Sequence, residues 1–145
     1  MYDIVKILHS YWAYLILFTL LLGVLNAILG LVGKKEYDAK AFRISLFGLI
    51  VSHIQLLIGI VLYFVSPMFD MWSEMGSEVM KTASIRLYLV EHPFVNILAV
   101  ALITIGYSKH KKKLTSAPKF KTITIFYLIA LILFLSRIPW DKWPN

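Results

Sequence analysis

The sequence predicts an all-α integral membrane protein, an up-down-up-down bundle of four helices with both termini on the outer side. Two observations predict this class. Of the 145 residues, 59% are hydrophobic and 16% are charged, whereas soluble domains have about 45–50% and about 25%. The apolar residues also fall in four runs, separated by charged connections. A soluble fold of this length could not bury so much apolar surface, so the lipid bilayer is the first predicted partner.

The four runs are the predicted spans of a single domain that covers residues 1–145. The first three are residues 11–33, 44–65 and 87–107, each close to the roughly 20 residues with which a helix crosses a bilayer. The fourth, residues 123–135, reaches that length only with Thr122 and residues 136–138. Each must be helical in lipid, where no water satisfies the backbone. Asp3 and a single Lys6 before the first run favour a retained helix over a signal peptide.

The basic residues predict the orientation of the spans. Ten of the 15 lie between spans one and two or between spans three and four: Lys34, Lys35, Lys40, Arg43, Lys109, Lys111, Lys112, Lys113, Lys119 and Lys121. The other five are Lys6, Lys81, Arg86, Arg137 and Lys142. Positive connections stay in the cytoplasm, so both termini are expected outside. The tryptophans expected to form a belt at the outer boundary are Trp12, Trp72, Trp140 and Trp143.

Composition also excludes several kinds of site. The chain has no cysteine, which excludes disulfides, thiolate zinc sites, iron–sulfur ligation and c-type haem attachment. The net positive charge does not predict nucleic-acid binding, because the charges lie in the connections between apolar segments.

Small and polar residues recur at helical spacing and predict the faces that point into the bundle. On helix one these residues are Thr19, Gly23, Asn26, Ala27 and Gly30. On helix two they are Ser45, Gly48, Ser52, Gln55 and Gly59. On helix three they are Tyr88, His92, Asn96, Ala99, Ile103 and Gly106.

Histidines are the candidate site. His110 lies in a basic connection and is expected to be solvated, whereas His9, His53 and His92 lie in or at the edge of the spans. An ionisable residue inside a span is costly and marks a functional site, although structural hydrogen bonding is the competing explanation. Imidazole is a common axial ligand of haem, so these three are the predicted metal ligands of haem b, with one haem or two.

Two ligand pairings remain open. His9 and His92 lie on helices one and three, which are diagonal in such a bundle, while His53 and His92 both lie well within the spans. The third histidine could ligate a second haem, or bond to a quinone or a haem propionate.

Other residues are placed around this predicted site. Arg86 and Arg137, at the outer ends of helices three and four, suit haem propionates, and ordinary interfacial placement is the alternative. Tyr88 and Asn96 are further candidates for cofactor binding, and together with Glu91 they are the nearby acid–base candidates for an enzyme. Glu91 is expected to bond His9 or another helix, or to carry protons. Pro93 is expected to kink helix three beside His92.

The chain resembles a family of small bacterial four-helix membrane proteins described as cytochrome b-like. The resemblance lies in LHSYWAYLIL, SHIQLLIGIVLYFVSP, VEHPFVNILAVALITIGYSK and FKTITIFYLIALILFLSRIPW. It implies haem b in a bacterial plasma membrane, crossed several times. A weaker resemblance, to the haem-binding protoporphyrinogen oxidase family, rests on IVKILHSYW, the length and a tail with tryptophan, while the lysine-bearing third helix of that family has no match.

Four functions follow. The first is a haem-bearing electron-transfer subunit, with a quinone or a larger membrane complex as its partner. The second is a haem-dependent oxidase, which needs an open haem position. The third is a cofactor-free structural subunit of a larger complex. A metal transporter is the weakest, since the sequence lacks cysteine and has no methionine cluster at ligand spacing.

Overall fold

The computed structural model describes residues 1–144 and contains four long helices. These are α1 (Tyr2–Val32), α2 (Ala39–Val65), α3 (Ala83–Lys111) and α4 (Ser116–Ser136). By length and composition all four could cross a membrane, so the prediction of an all-helical, multi-pass membrane protein is confirmed at that level.

The fourth helix is extended at the opposite end from the predicted one. It begins at Ser116, before Lys119 and Lys121, and ends at Ser136. Arg137 and Ile138 therefore lie outside the helix, although the sequence was expected to need them within the span. The physical reason is Pro139, because the residue before a proline is biased away from the helical conformation.

Each long helix packs mainly against two neighbours. Helix α1 contacts α2 and α4, and α3 contacts the same two helices. Helices α1 and α3 therefore lie across the bundle from each other, as the diagonal arrangement requires. The pair α2 and α3 has the smallest of these four interfaces.

The predicted small-residue faces form the centre of the bundle. Thr19, Gly23, Ala27 and Gly30 are buried on α1, and Ser45, Gly48, Ser52 and Gln55 on α2, while Asn26 and Gly59 are only half-buried. Tyr127 of α4 fills the space that the glycines leave, with its ring 3.5 Å from where a Cβ on Gly23 would lie. Its hydroxyl donates to the Ser45 carbonyl oxygen at 2.7 Å, so the largest buried side chain of the core is also satisfied.

Helix α3 begins irregularly, and Pro93 explains why. Residues Leu87–Glu91 form a π-helical segment directly before His92 and Pro93, in place of a simple kink. Proline has no N–H, so the carbonyl four residues earlier loses its helical donor. That carbonyl belongs to Leu89, and the Tyr63 hydroxyl of α2 donates to it at 3.0 Å. Trp72 in turn donates from Nε1 to the Tyr63 oxygen at 3.0 Å.

The connection from α2 to α3 consists of three short helical pieces. They are Pro67–Asp70, Met71–Met75 and Gly76–Lys81. Helix α3 begins at Ala83, after an extended residue at Thr82. Gly76, the first residue of the third piece, has a φ of 55°, a conformation in which a Cβ would be strained.

Candidate functional site: a histidine pair between diagonal helices

The site lies at the end of the bundle where the two ends of the chain meet. Trp143 donates from Nε1 to the Ser10 hydroxyl at 2.8 Å, which ties the C-terminal segment to α1. Close to this contact the structure brings together His9 of α1 and His92 of α3. Their ring centroids are 6.1 Å apart, with an angle of 77° between the ring planes.

Hydrogen bonds fix the ring of His92 from both sides. Nδ1 lies 2.9 Å from the carbonyl oxygen of Arg137, so this nitrogen carries the proton and donates it. Nε2 is then the acceptor and lies 3.1 Å from the Asn96 side-chain nitrogen. Arg137 can present its carbonyl because α4 ends at Ser136. The C-terminal end of α4, which was predicted to lie further along the chain, therefore provides the carbonyl that orients His92.

His9 is held by its backbone and by a glycine. Gln55 of α2 donates from Nε2 to the His9 carbonyl oxygen at 2.9 Å. The His9 ring lies over Gly59, where a Cβ would come within 3.3 Å of Cε1. Gly59, assigned from the sequence to helix packing alone, thus makes the space for this ring.

Three buried polar atoms of this region have no hydrogen-bond partner among the described residues. They are His9 Nδ1, Gln55 Oε1 and Asn96 Oδ1. Buried polar atoms are nearly always paired, so each unpaired one calls for an explanation. All three belong to the His9–His92 pair or to the amides bonded to it. The site therefore has unused bonding capacity.

Glu91 links the two arginines that the sequence placed at haem propionates. Arg86 donates from Nε to Glu91 Oε2 at 2.6 Å, and Arg137 Nε lies 3.6 Å from Oε1 of the same carboxylate. Glu91 was expected to bond His9 or another helix, and it reaches beyond its own helix through Arg137. The arginines lie beside the histidine pair but are bound to this carboxylate.

His53 lies elsewhere. Its Nδ1 is 2.8 Å from the Leu49 carbonyl oxygen and its Nε2 is 3.2 Å from the Thr104 hydroxyl. Thr104 lies about 18 Å from His92 along α3, at 1.5 Å per residue. The His53 ring is therefore far from the His92 ring. Of the two pairings that the sequence left open, the structure brings His9 to His92. Tyr88 is half-buried on the π-helical segment, and its hydroxyl makes no hydrogen bond within residues 1–144.

The expectation that His110 is solvated was wrong. His110 is 0% exposed, at the opposite end of the bundle. Its Nε2 lies 2.9 Å from the Tyr37 hydroxyl, and its Nδ1 faces the Tyr107 carbonyl oxygen. The spacing of Ile103, Gly106 and His110 already placed this histidine on the buried face of α3, and the surrounding lysines obscured that signal.

No group of three or more metal-ligating side chains of His, Asp or Glu occurs within residues 1–144. The pair His9 and His92 offers two imidazole donors, fewer than the four ligands of a structural zinc site. Comparison with protein-family models, curated proteins and solved structures gave no match.

Proposed function

We propose that this chain is a haem b-binding membrane subunit that takes part in electron transfer, with His9 and His92 as axial ligands. One observation carries the proposal. Two imidazoles from diagonal helices of a four-helix bundle approach to 6.1 Å between ring centroids. Bundles of this kind build cofactor sites from inward-facing side chains of facing helices.

The separation of the two rings leaves the distance at which both imidazoles would hold one metal ion. Bonds from a metal to an imidazole nitrogen are about 2 Å long. Adding the distance from each nitrogen to its ring centre gives a centroid separation of about 6 Å for two imidazoles that would hold one metal ion between them. The observed 6.1 Å agrees with this figure.

The hydrogen bonds of His92 also suit a ligand. Histidines that bind metals commonly donate their other ring N–H to a backbone carbonyl, which fixes the tautomer and the ring direction. The Nδ1–H of His92 does this with Arg137. Ligation through Nε2 requires Asn96 to release that nitrogen. His9 already has a buried nitrogen without a partner, Nδ1.

The arginines have a role in the same proposal. Arg86 and Arg137 share one carboxylate, that of Glu91. Two guanidinium groups around one carboxylate leave donors available for propionates, which Arg recognises well. When bound, haem b would supply one-electron redox chemistry, and two imidazoles would keep the iron low-spin. A quinone or a larger membrane complex is the proposed redox partner.

Visible spectra of the purified protein test the proposal. The protein from haem-replete cells, in detergent, should show a Soret band and a sharp reduced α-band. His9→Ala and His92→Ala should each lose the low-spin spectrum, because each removes one axial nitrogen. His53→Ala is the matched control, an intramembrane histidine outside the pair, and should keep it. His92→Gly should regain the low-spin bands when free imidazole is added.

Three results would contradict the proposal. A wild-type protein without a Soret band would leave the cofactor-free structural subunit as the better description. A high-spin spectrum would indicate an open iron position and favour the oxidase. A low-spin spectrum that survives in His9→Ala and is lost in His53→Ala would assign the ligands to the other pairing.

We also propose the setting of the site, a bacterial plasma membrane in which both termini and the His9–His92 pair face the outer side. The support is the charge distribution, with ten basic residues in the two connections of the other end and in the helix ends beside them.

A further inference from the structure

The end of the bundle opposite the histidine pair carries a large uncompensated positive charge. It holds ten Lys and Arg residues but only two acidic ones, Glu36 and Asp38. The three salt bridges within residues 1–144 involve Glu78 and Glu91, and none includes a basic residue of this end. Asp38 accepts a hydrogen bond from the Ala41 N–H at the start of α2. An anionic partner would therefore find many unpaired ammonium groups here.

A groove concentrates part of this charge at one place. It has a volume of about 520 Å³ and is lined by residues of α1, α3, the α3–α4 connection and α4. Its polar lining consists chiefly of Lys109, Lys113 and Lys121, and its apolar lining includes Leu31, Ile125 and Phe126. The ammonium groups of these three lysines make no hydrogen bond or salt bridge within residues 1–144.

The groove therefore offers two chemistries side by side. Ile125 follows Lys121 by one helical turn, about 6 Å along α4. Both residues are exposed, as are Lys109 and Lys113. A free phosphate ion would satisfy the lysines and leave the apolar wall in contact with nothing. A molecule with a phosphate and a hydrocarbon chain would use both.

We propose that this groove is a binding site for an anionic phospholipid. The headgroup phosphate lies among Lys109, Lys113 and Lys121, and one acyl chain runs along the apolar wall formed by Leu31, Ile125 and Phe126. Basic pockets between transmembrane helices bind anionic headgroups in this manner. The site is independent of the proposed haem function, since it lies at the other end of the bundle.

Native mass spectrometry of the full chain in detergent tests the proposal. Four ligands are compared: phosphatidylglycerol, phosphatidylcholine with the same acyl chains, glycerol phosphate, and inorganic phosphate. Phosphatidylglycerol should bind about tenfold or more tightly than phosphatidylcholine, as expected for several lysines at one headgroup. Neither glycerol phosphate nor inorganic phosphate should bind measurably, because they lack the acyl chain.

Two triple variants separate the groove from general charge. The variant with Lys109→Gln, Lys113→Gln and Lys121→Gln should lose about tenfold or more of the affinity. The matched control removes the same charge at the same end through Lys34→Gln, Lys35→Gln and Lys112→Gln, and should lose less than about threefold. All six side chains are exposed, so both variants should fold.

Each alternative result overturns the proposal. Equal losses in the two triple variants would mean that the charge acts diffusely, without a site. Equal binding of phosphatidylglycerol and phosphatidylcholine would remove the role of the lysines. Binding of inorganic phosphate as tight as that of the lipid would replace the lipid site by a simple anion site.

Discussion

Tyr37 connects three parts of the chain at the basic end. Its hydroxyl lies 2.9 Å from His110 Nε2 and 2.9 Å from the Ser45 hydroxyl, and its backbone N–H donates to Ser116 Oγ at 2.8 Å. Since His110 Nδ1 faces a carbonyl, Nε2 is the acceptor and Tyr37 is the donor. One side chain thereby links the α1–α2 connection to α2 and α3.

Replacing Tyr37 by Phe should destabilise the protein. The change leaves His110 Nε2 buried without its donor, which costs about 1–3 kcal/mol. The expected result is a lower midpoint of thermal unfolding in detergent. Tyr11→Phe is the matched control, since the Tyr11 side chain is 70% exposed, and it should leave the midpoint unchanged. Equal midpoints for the two variants would contradict the role given to Tyr37.

The Tyr37 hydroxyl also predicts that the stability of the protein falls at alkaline pH. Burial raises the pKa of Tyr37 above its usual value of about 10. A raised pKa in the folded state means that the stabilisation is complete below about pH 10 and is lost as the pH rises through the folded-state pKa. Wild type should therefore lose more stability than Tyr37→Phe above about pH 10. Parallel losses in the two proteins would show that Tyr37 does not titrate with folding.

Glycines of the helix interfaces differ in the space that they have. A Cβ on Gly106 of α3 would overlap the Cβ of Phe126 on α4, an atom close to the backbone that cannot move aside without shifting the helix. A Cβ on Gly23 of α1 would make an ordinary contact of 3.5 Å with the Tyr127 ring. The two positions thus provide a matched pair of Gly→Ala substitutions.

Gly106→Ala should be destabilising and Gly23→Ala neutral or stabilising. Overpacking costs about 1–3 kcal/mol, whereas Ala improves helix propensity by up to about 1 kcal/mol where it fits. Thermal unfolding in detergent measures both changes. Because both substitutions add the same methyl group, equal effects would mean that α3 and α4 do not approach as closely as the structure shows.

The existence of four helices followed from the sequence because twenty apolar residues in lipid have no other way to satisfy their backbone. The inward faces followed from helical spacing, as the burial of Gly23, Ser52 and Ile103 shows. Helix ends did not follow in the same way. The end of α4 depends on Pro139, and the π-helical segment of α3 contains the Leu89 carbonyl, which accepts a hydrogen bond from the Tyr63 hydroxyl of another helix.

The candidate site could be predicted in part for the same reason. His92 and Asn96 lie four residues apart on one face of α3, which the sequence states directly, and their hydrogen bond is local. Whether His9 or His53 is the neighbour of His92 depends on the offset of α1 and α2 relative to α3 along the bundle axis. The pairing of Glu91 with Arg137 depends on where α4 ends. Tertiary packing sets both, and no local pattern encodes it.

At the scale of the whole molecule, the two ends of the bundle differ in chemistry. At one end, the Tyr37–Ser116 hydrogen bond joins the α1–α2 connection to the start of α4, and this end carries most of the lysines. The other end holds the start of α1, Trp143, the histidine pair and the Glu91 ion pairs. This distribution supports the proposed orientation, in which the basic end would face the cytoplasm under the positive-inside rule.

Single-cysteine labelling tests this orientation, and the chain suits it because it contains no cysteine. We expect a membrane-impermeant maleimide to label Asp3→Cys and Ser77→Cys on intact cells. Lys35→Cys and Lys112→Cys should be labelled only after the cells are permeabilised. All four positions are exposed, so accessibility depends on the side of the membrane, and the unsubstituted chain measures background. Labelling of Lys35→Cys on intact cells would reverse the orientation, and would place the proposed haem pair on the cytoplasmic side.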